Sequence, residues 1–227
     1  MYKLRTVKFR LYIVKLIEHT NYLIFITNIV FFHVLESMSG SKLNLAKSSV
    51  LNLIQALDDS HFITLINFDG ETQPFFSSES DLIDEMFDFN EFRNDSLDGS
   101  LNITHSNEQF MLPCNNETYE SISQFFDNLT TTEGSIANLT KAIESAIDMD
   151  DLGWATKRIP ENALSMFILL TDGRSASGNN SEVVGKEIRM VNKAVKIPIF
   201  TIGVGFDANM EFLENVAGEY NENSKKH

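Results

Sequence analysis

Two rhythms of apolar positions alternate along the chain. Continuous apolar runs occupy residues 29–35, 61–68 (HFITLINF), 163–170 (ALSMFILL) and 197–204 (IPIFTIGV). Their β-branched and aromatic content is that of strands buried on both faces, and Pro198 stands near a strand start, where proline is tolerated. Between them the spacing changes to threes and fours. Leu43, Ala46, Val50, Leu53, Ile54 and Leu57 line one side of a helix over residues 42–57. The same spacing predicts helices over 118–129 (Tyr119, Ile122, Phe125, Phe126, Leu129), 136–149 (Ile136, Leu139, Ile143, Ala146, Ile147), 182–195 and 208–217 (Met210, Phe212, Leu213, Val216). Strands alternating with helices imply an α/β fold: a doubly wound, mostly parallel central sheet with helices on both faces.

The pattern breaks in three places. Residues 71–115 are acidic and without sustained period, and read as a long surface insertion. Within it Asp88, Asn90, Asp95 and Asp98 lack the spacing and central glycine of an EF-hand loop. Residues 149–160, with the single Trp154, read as a connecting loop. Residues 1–27 carry Lys3, Arg5, Lys8, Arg10 and Lys15 ahead of apolar residues. That resembles a signal or anchor segment, but Lys15, Glu18 and His19 interrupt it and the remainder is too short to span a bilayer. We read 1–27 as an N-terminal extension (a signal or anchor remnant, or a misplaced start), 28–220 as one domain, and 221–227 as a polar tail.

Composition narrows the partners. The 227 residues are 43% hydrophobic with 18 Phe, enough for a sizeable core. A formal net charge of -14 argues against nucleic acid or an anionic membrane surface, each of which needs a basic patch. The lone Cys114 reads either as a buried small hydrophobe or as a thiol paired outside this chain. Asn-x-Ser/Thr sequons at Asn94, Asn102, Asn116, Asn128, Asn138 and Asn179 lean toward an extracellular or membrane-associated ectodomain.

Several catalytic motifs fail on inspection. Gly40-Ser41-Lys42 lacks the order and upstream glycine of a phosphate loop. Gly203-Val204-Gly205 is a lone pair of glycines with no dinucleotide register. None of His19, His33, His61, His105 and His227 sits in a nucleophile elbow.

The chain is organised around residues 28–47, NIVFFHVLESMSGSKLNLAK: a buried strand, a tight Ser/Gly loop and an amphipathic helix. In α/β folds that junction borders the ligand crevice. SMSGSKLNLAKSSVLNLIQAL after the first strand, FILLTDG at a later one and IFTIGVGFDANMEFLENVA near the end together resemble a von Willebrand factor type A domain. The flavour is that of inter-alpha-trypsin-inhibitor heavy chains and calcium-channel alpha-2/delta subunits, and the likeness covers roughly residues 28–220.

The resemblance implies a Rossmann-like sheet whose C-terminal edge holds a metal-ion-dependent adhesion site. Its pattern is Asp-x-Ser-x-Ser, a Thr from a middle loop and a late Asp, all hard oxygen donors suited to Mg²⁺ or Ca²⁺. Here Ser37 matches the second Ser and Asp172 the late Asp. Thr132 and Ser135 are both candidates for the Thr. His33 stands where the first Asp belongs and Leu35 where the first Ser belongs. Imidazole is a poor ligand for these ions and Leu35 offers none, so the resemblance implies an impaired site, with Mg²⁺ or Ca²⁺ bound only if the residual donors suffice. An alternative is that a splicing or start error replaced the true segment upstream of Ser37. The expected function is non-enzymatic binding of another protein through the C-terminal edge of the sheet, with membrane contact only through parts outside this domain. The alternatives are an alpha-2/delta-like channel accessory subunit, or an α/β hydrolase or nucleotide-binding enzyme using Asp172.

Overall fold

The computed structural model describes residues 26–34, 36–68, 72–74, 111–131, 138–155, 159–160, 163–174 and 181–217. At its centre is β1, Ile26–His33, with all eight residues buried. It runs parallel to β2 (Phe62–Phe68) on one side and to β5 (Leu164–Thr171) on the other. β6 (Ile199–Gly203) extends the parallel ladder beyond β5. Two short strands, β3 (Thr72–Pro74) and β4 (Leu112–Pro113), pair antiparallel with β2. The sheet order is therefore β3-β2-β1-β5-β6, with β4 also on β2.

Alternate residues of β1 feed opposite cores, as the two-residue period of a strand requires. Val30 and Phe32 pack toward α1 (Ser41–Ala56) and α2 (Asn116–Asn128), against Ala46, Val50, Ile54, Ile122 and Phe126. Ile29 and Phe31 pack toward α3 (Leu139–Ala155), α4 (Ser181–Val191) and α5 (Met210–Ala217), against Ile143, Ala146, Ile188 and Leu213. Phe32 stacks on Phe126 with ring centroids 5.2 Å apart, and Phe31 meets Phe167 edge-on at 5.3 Å. Each such phenyl ring contributes about 1.5–3 kcal/mol by burial. Helices thus cover both faces of a mostly parallel sheet, as the apolar rhythm predicts.

Local signals set the helix ends. Asn115 Oδ1 accepts from Thr118 N at 2.9 Å and starts α2. No basic residue lies in the last turn of α2, and Lys47 of α1 supplies that charge instead. Its ammonium donates to the carbonyls of Phe126 and, at 2.7 Å, Leu129, pinning the two helices together. Burial lowers the Lys47 pKa, the nearby Asp127 opposing this in part.

The structure revises three boundaries. β1 begins at Ile26, inside the stretch read as an extension, because its pairing with Leu164 and Phe62 continues that far. Both ends of the acidic insertion return to the sheet as β3 and β4, strands too short to show a period. The helix expected over 136–149 starts at Leu139 and runs on to Ala155, through the expected loop. Gly153 belongs in that helix because the Ile159 side chain lies against it where a Cβ would stand. Trp154 Nε1 also donates back one turn to Asp150 at 3.3 Å. Of the earlier candidates, Leu35, Thr132, Ser135, Asn94, Asn102 and Asn179 lie outside the described residues, as do 1–25, 75–110 and 218–227.

Candidate functional site

The chain leaves β1 for β2 on one side and later returns as β5 on the other. The C-terminal ends of β1 and β5 therefore bound the crevice in which α/β sheets bind ligands. His33 ends β1, Thr171 ends β5, and Asp172 follows directly. Asp172 has no solvent exposure (0%), so its carboxylate depends on protein partners. Its Oδ1 accepts from the Arg174 backbone N–H at 3.1 Å and from Ser37 Oγ at 3.3 Å. Its Oδ2 accepts from Lys42 Nζ at 3.0 Å. Ser37 comes from the 3₁₀ turn Glu36–Met38, and Lys42 from the first turn of α1.

Lys42 is the hub of this edge. Its ammonium, on a side chain only 16% exposed, also lies 3.1 Å from Asp207 Oδ1 and donates to Oδ2 at 3.2 Å. Arg174 Nη2 pairs with the same Asp207 at 2.5 Å. Two carboxylates and two cations thus form one balanced cluster. Burial works against the charged lysine, but Asp172 and then Asp207 more than offset it and hold its pKa above the usual lysine value. The hydrogen bond from Lys42 holds the Asp207 carboxyl below the usual carboxylate range, with Arg174 adding to the effect. A cation in the first turn of a helix opposes the helix dipole by about 0.3–1 kcal/mol, which the two carboxylates offset.

His33 is directed elsewhere. It is buried, its ring stacks on Phe68 at 5.1 Å, and Nδ1 lies 2.9 Å from Thr171 Oγ1 but 3.9 Å from Asp172 Oδ1. Thr171 Oγ1 accepts from the Gly173 N–H at 3.1 Å. His33 is thus set into the strand ends beside the carboxylate.

The structure brings together Ser37, Asp172 and, at the margin, His33. It adds Lys42, Arg174 and Asp207, which the sequence reading did not assign to the site. Lys42 and Asp207 lie within two of the matched stretches and Arg174 directly follows the third, but nothing local in the sequence marks them as partners. Asn116, Asn128 and Asn138 are exposed, at a helix start, a helix end and the residue before α3. Cys114 is a buried free thiol, and burial pushes its pKa up to about 12.

Among the described residues the donor set is poor for a divalent cation: of the expected oxygen ligands it holds Ser37 and Asp172, while Leu35, Thr132 and Ser135 lie outside them. Mg²⁺ and Ca²⁺ take six or more oxygen ligands, yet both oxygens of Asp172 already accept protein donors. No group of three or more His, Cys, Asp or Glu among the described residues is arranged to hold a metal. A cation on Asp172 Oδ2 would compete for that oxygen with the Lys42 ammonium, which lies 3.0 Å from it. Two unit charges about 4 Å apart repel by roughly 4 kcal/mol near a protein surface, and a divalent ion doubles that.

Comparison with known proteins places the fold. The family model for the von Willebrand factor type A domain matches residues 103–226, more than half of the chain. Heavy chain 4 of mouse inter-alpha-trypsin inhibitor is 21% identical over 182 residues, 80% of this chain and 16% of that protein. The bovine heavy chain H3 is 23% identical over 184 residues, 81% of this chain and 17% of that protein. The chain therefore spans only about a sixth of the length of these curated relatives. Among solved structures, manganese-loaded Plasmodium vivax TRAP protein superposes with a TM-score of 0.52 at 15% identity, covering 87% of this chain and 64% of that one.

Proposed function

The chain belongs to the von Willebrand factor type A domain family, and from that premise we propose that it is a non-enzymatic protein-interaction domain of an extracellular or membrane-associated protein. It engages another protein through the C-terminal edge of the sheet, with the metal site of the family impaired. One observation carries this reading. Phe206, in the loop after β6, is 95% exposed directly beside Asp207 of the charged cluster. Its loop is anchored: Val204 N donates to Thr171 O at 3.0 Å and Asn209 N to Asp172 O at 2.8 Å. An aromatic side chain held out on a fixed backbone loses little entropy on docking, and such anchors dominate binding energy at interfaces. The half-exposed Arg174 adds a guanidinium beside it. In that setting Asn116, Asn128 and Asn138 are open to glycan attachment.

The test compares the immobilised domain with its Phe206→Ser variant for retention of proteins from an extracellular fraction, and then measures affinity for a purified retained protein. The expected loss is roughly 30-fold or more, as for an interface anchor, with an unchanged melting temperature. The reading fails if no retained protein distinguishes the two. Substrate turnover that Asp172→Ala abolishes would replace it with an enzyme.

A further inference from the structure

We propose that the Lys42 ammonium is a built-in replacement for a divalent cation at this edge, so that the domain holds its binding loops together without metal. Three segments must meet here: the start of α1, the end of β5 and the loop after β6. In the metal-bearing pattern a shared ion ties the loop after the first strand to the late Asp, and the loop after β6 supplies no ligand. Here Lys42 ties all three segments, contacting Asp172 at 3.0 Å from the β5 end and Asp207 at 3.1 Å from the β6 loop.

Four observations point the same way. Asp172 is wholly buried, and a buried carboxylate needs a compensating charge. Among the described residues Lys42 is the cation that pairs with it, while Arg174 gives Asp172 its backbone N–H and sends its guanidinium to Asp207. The loop is also shaped around the lysine stem. Gly205 has φ +98, and a Cβ there would stand 2.9 Å from Lys42 Cε and 3.0 Å from Asp207 Oδ1. The backbone conformation thus calls for glycine, and the loop lies close against the end of the lysine stem. Finally, the neighbouring group at the end of β1 is His33, committed to Thr171 and Phe68, rather than a carboxylate that would call for more positive charge. The inference stands on this cluster alone, whether or not the edge binds protein.

The test is a set of thermal melts of the full chain with MnCl₂, MgCl₂, CaCl₂ or EDTA. Metal bound at about 100 times its dissociation constant would raise the melting temperature of a chain this size by roughly 5–10 °C. The expected shift is under about 1 °C in every case. Lys42→Met should melt well below wild type, and adding Asp172→Asn should recover much of that loss, because a neutral amide needs no counter-ion. A saturable rise with Mn²⁺ that Asp172→Asn removes would overturn the proposal. So would a Lys42→Met variant as stable as wild type. Should Lys42→Met fail to fold, the wild-type metal series decides by itself.

Discussion

Replacing Lys42 by Met isolates the charge at the centre of the edge while keeping most of the side-chain volume. The variant leaves Asp172 buried without its cation and removes one of the two cations on Asp207. Removing one partner of a fully buried pair destabilises by about 3–5 kcal/mol. Asp172 has no solvent exposure, but the lysine side chain is 16% exposed, so some water reaches the pair and trims the figure. We therefore expect a loss of about 2–4 kcal/mol, read as a lower urea midpoint at unchanged slope. Relief of the helix-dipole conflict at the start of α1 returns no more than about 1 kcal/mol. The assay is circular dichroism against urea at neutral pH, with Lys42→Arg as a control that keeps the charge. A midpoint for Lys42→Met equal to wild type would refute the reasoning, since Asp172 would then need no lysine. A reduced slope would instead mean that the variant changes the compactness of one state.

Two further predictions concern buried groups away from the edge. Burial raises the Asp150 pKa, against hydrogen bonds from Ser165 Oγ at 2.5 Å and Trp154 Nε1 at 3.3 Å, with Asp151 adding to the rise. A carboxyl raised in the folded state favours folding most below its unfolded value near 3.9, and that contribution is lost as pH rises through the folded value. Wild type minus Asp150→Asn stability should therefore fall as pH rises from about 4, and a flat difference would contradict it. The Cys114 thiol, buried and with its pKa pushed up to about 12, should resist aromatic disulfide reagents at pH 8 in the folded chain and react at once in denaturant. Rapid labelling of the native protein would show the pocket around it to be open.

Much of the architecture was legible because buried strands and amphipathic helices announce themselves by period. The runs at 61–68 and 163–170 became β2 and β5 almost residue for residue. Boundaries shifted where period is silent. Ile26 and Thr27 join β1 only because β5 and β2 offer partners, and β3 and β4 are too short to alternate. Helix α3 runs on through Gly153 because a tertiary neighbour, Ile159, fills the space where a side chain would stand. Ser37 and Asp172 were findable from the matched motif, and they do meet. Lys42 was not, because its role is a long-range one. Its two carboxylates lie 130 and 165 residues away in sequence, and only the strand order brings them to one edge. An ammonium in the first turn of a helix is also a place where local rules expect an acid.

The central claim is that this edge is charge-balanced by its own side chains. Calorimetric titration of the full chain with Mn²⁺, the softest of the three ions named, tests it most directly. The account predicts no saturable heat and the same blank trace for Asp172→Ala. Saturable binding in wild type that Asp172→Ala abolishes would contradict it.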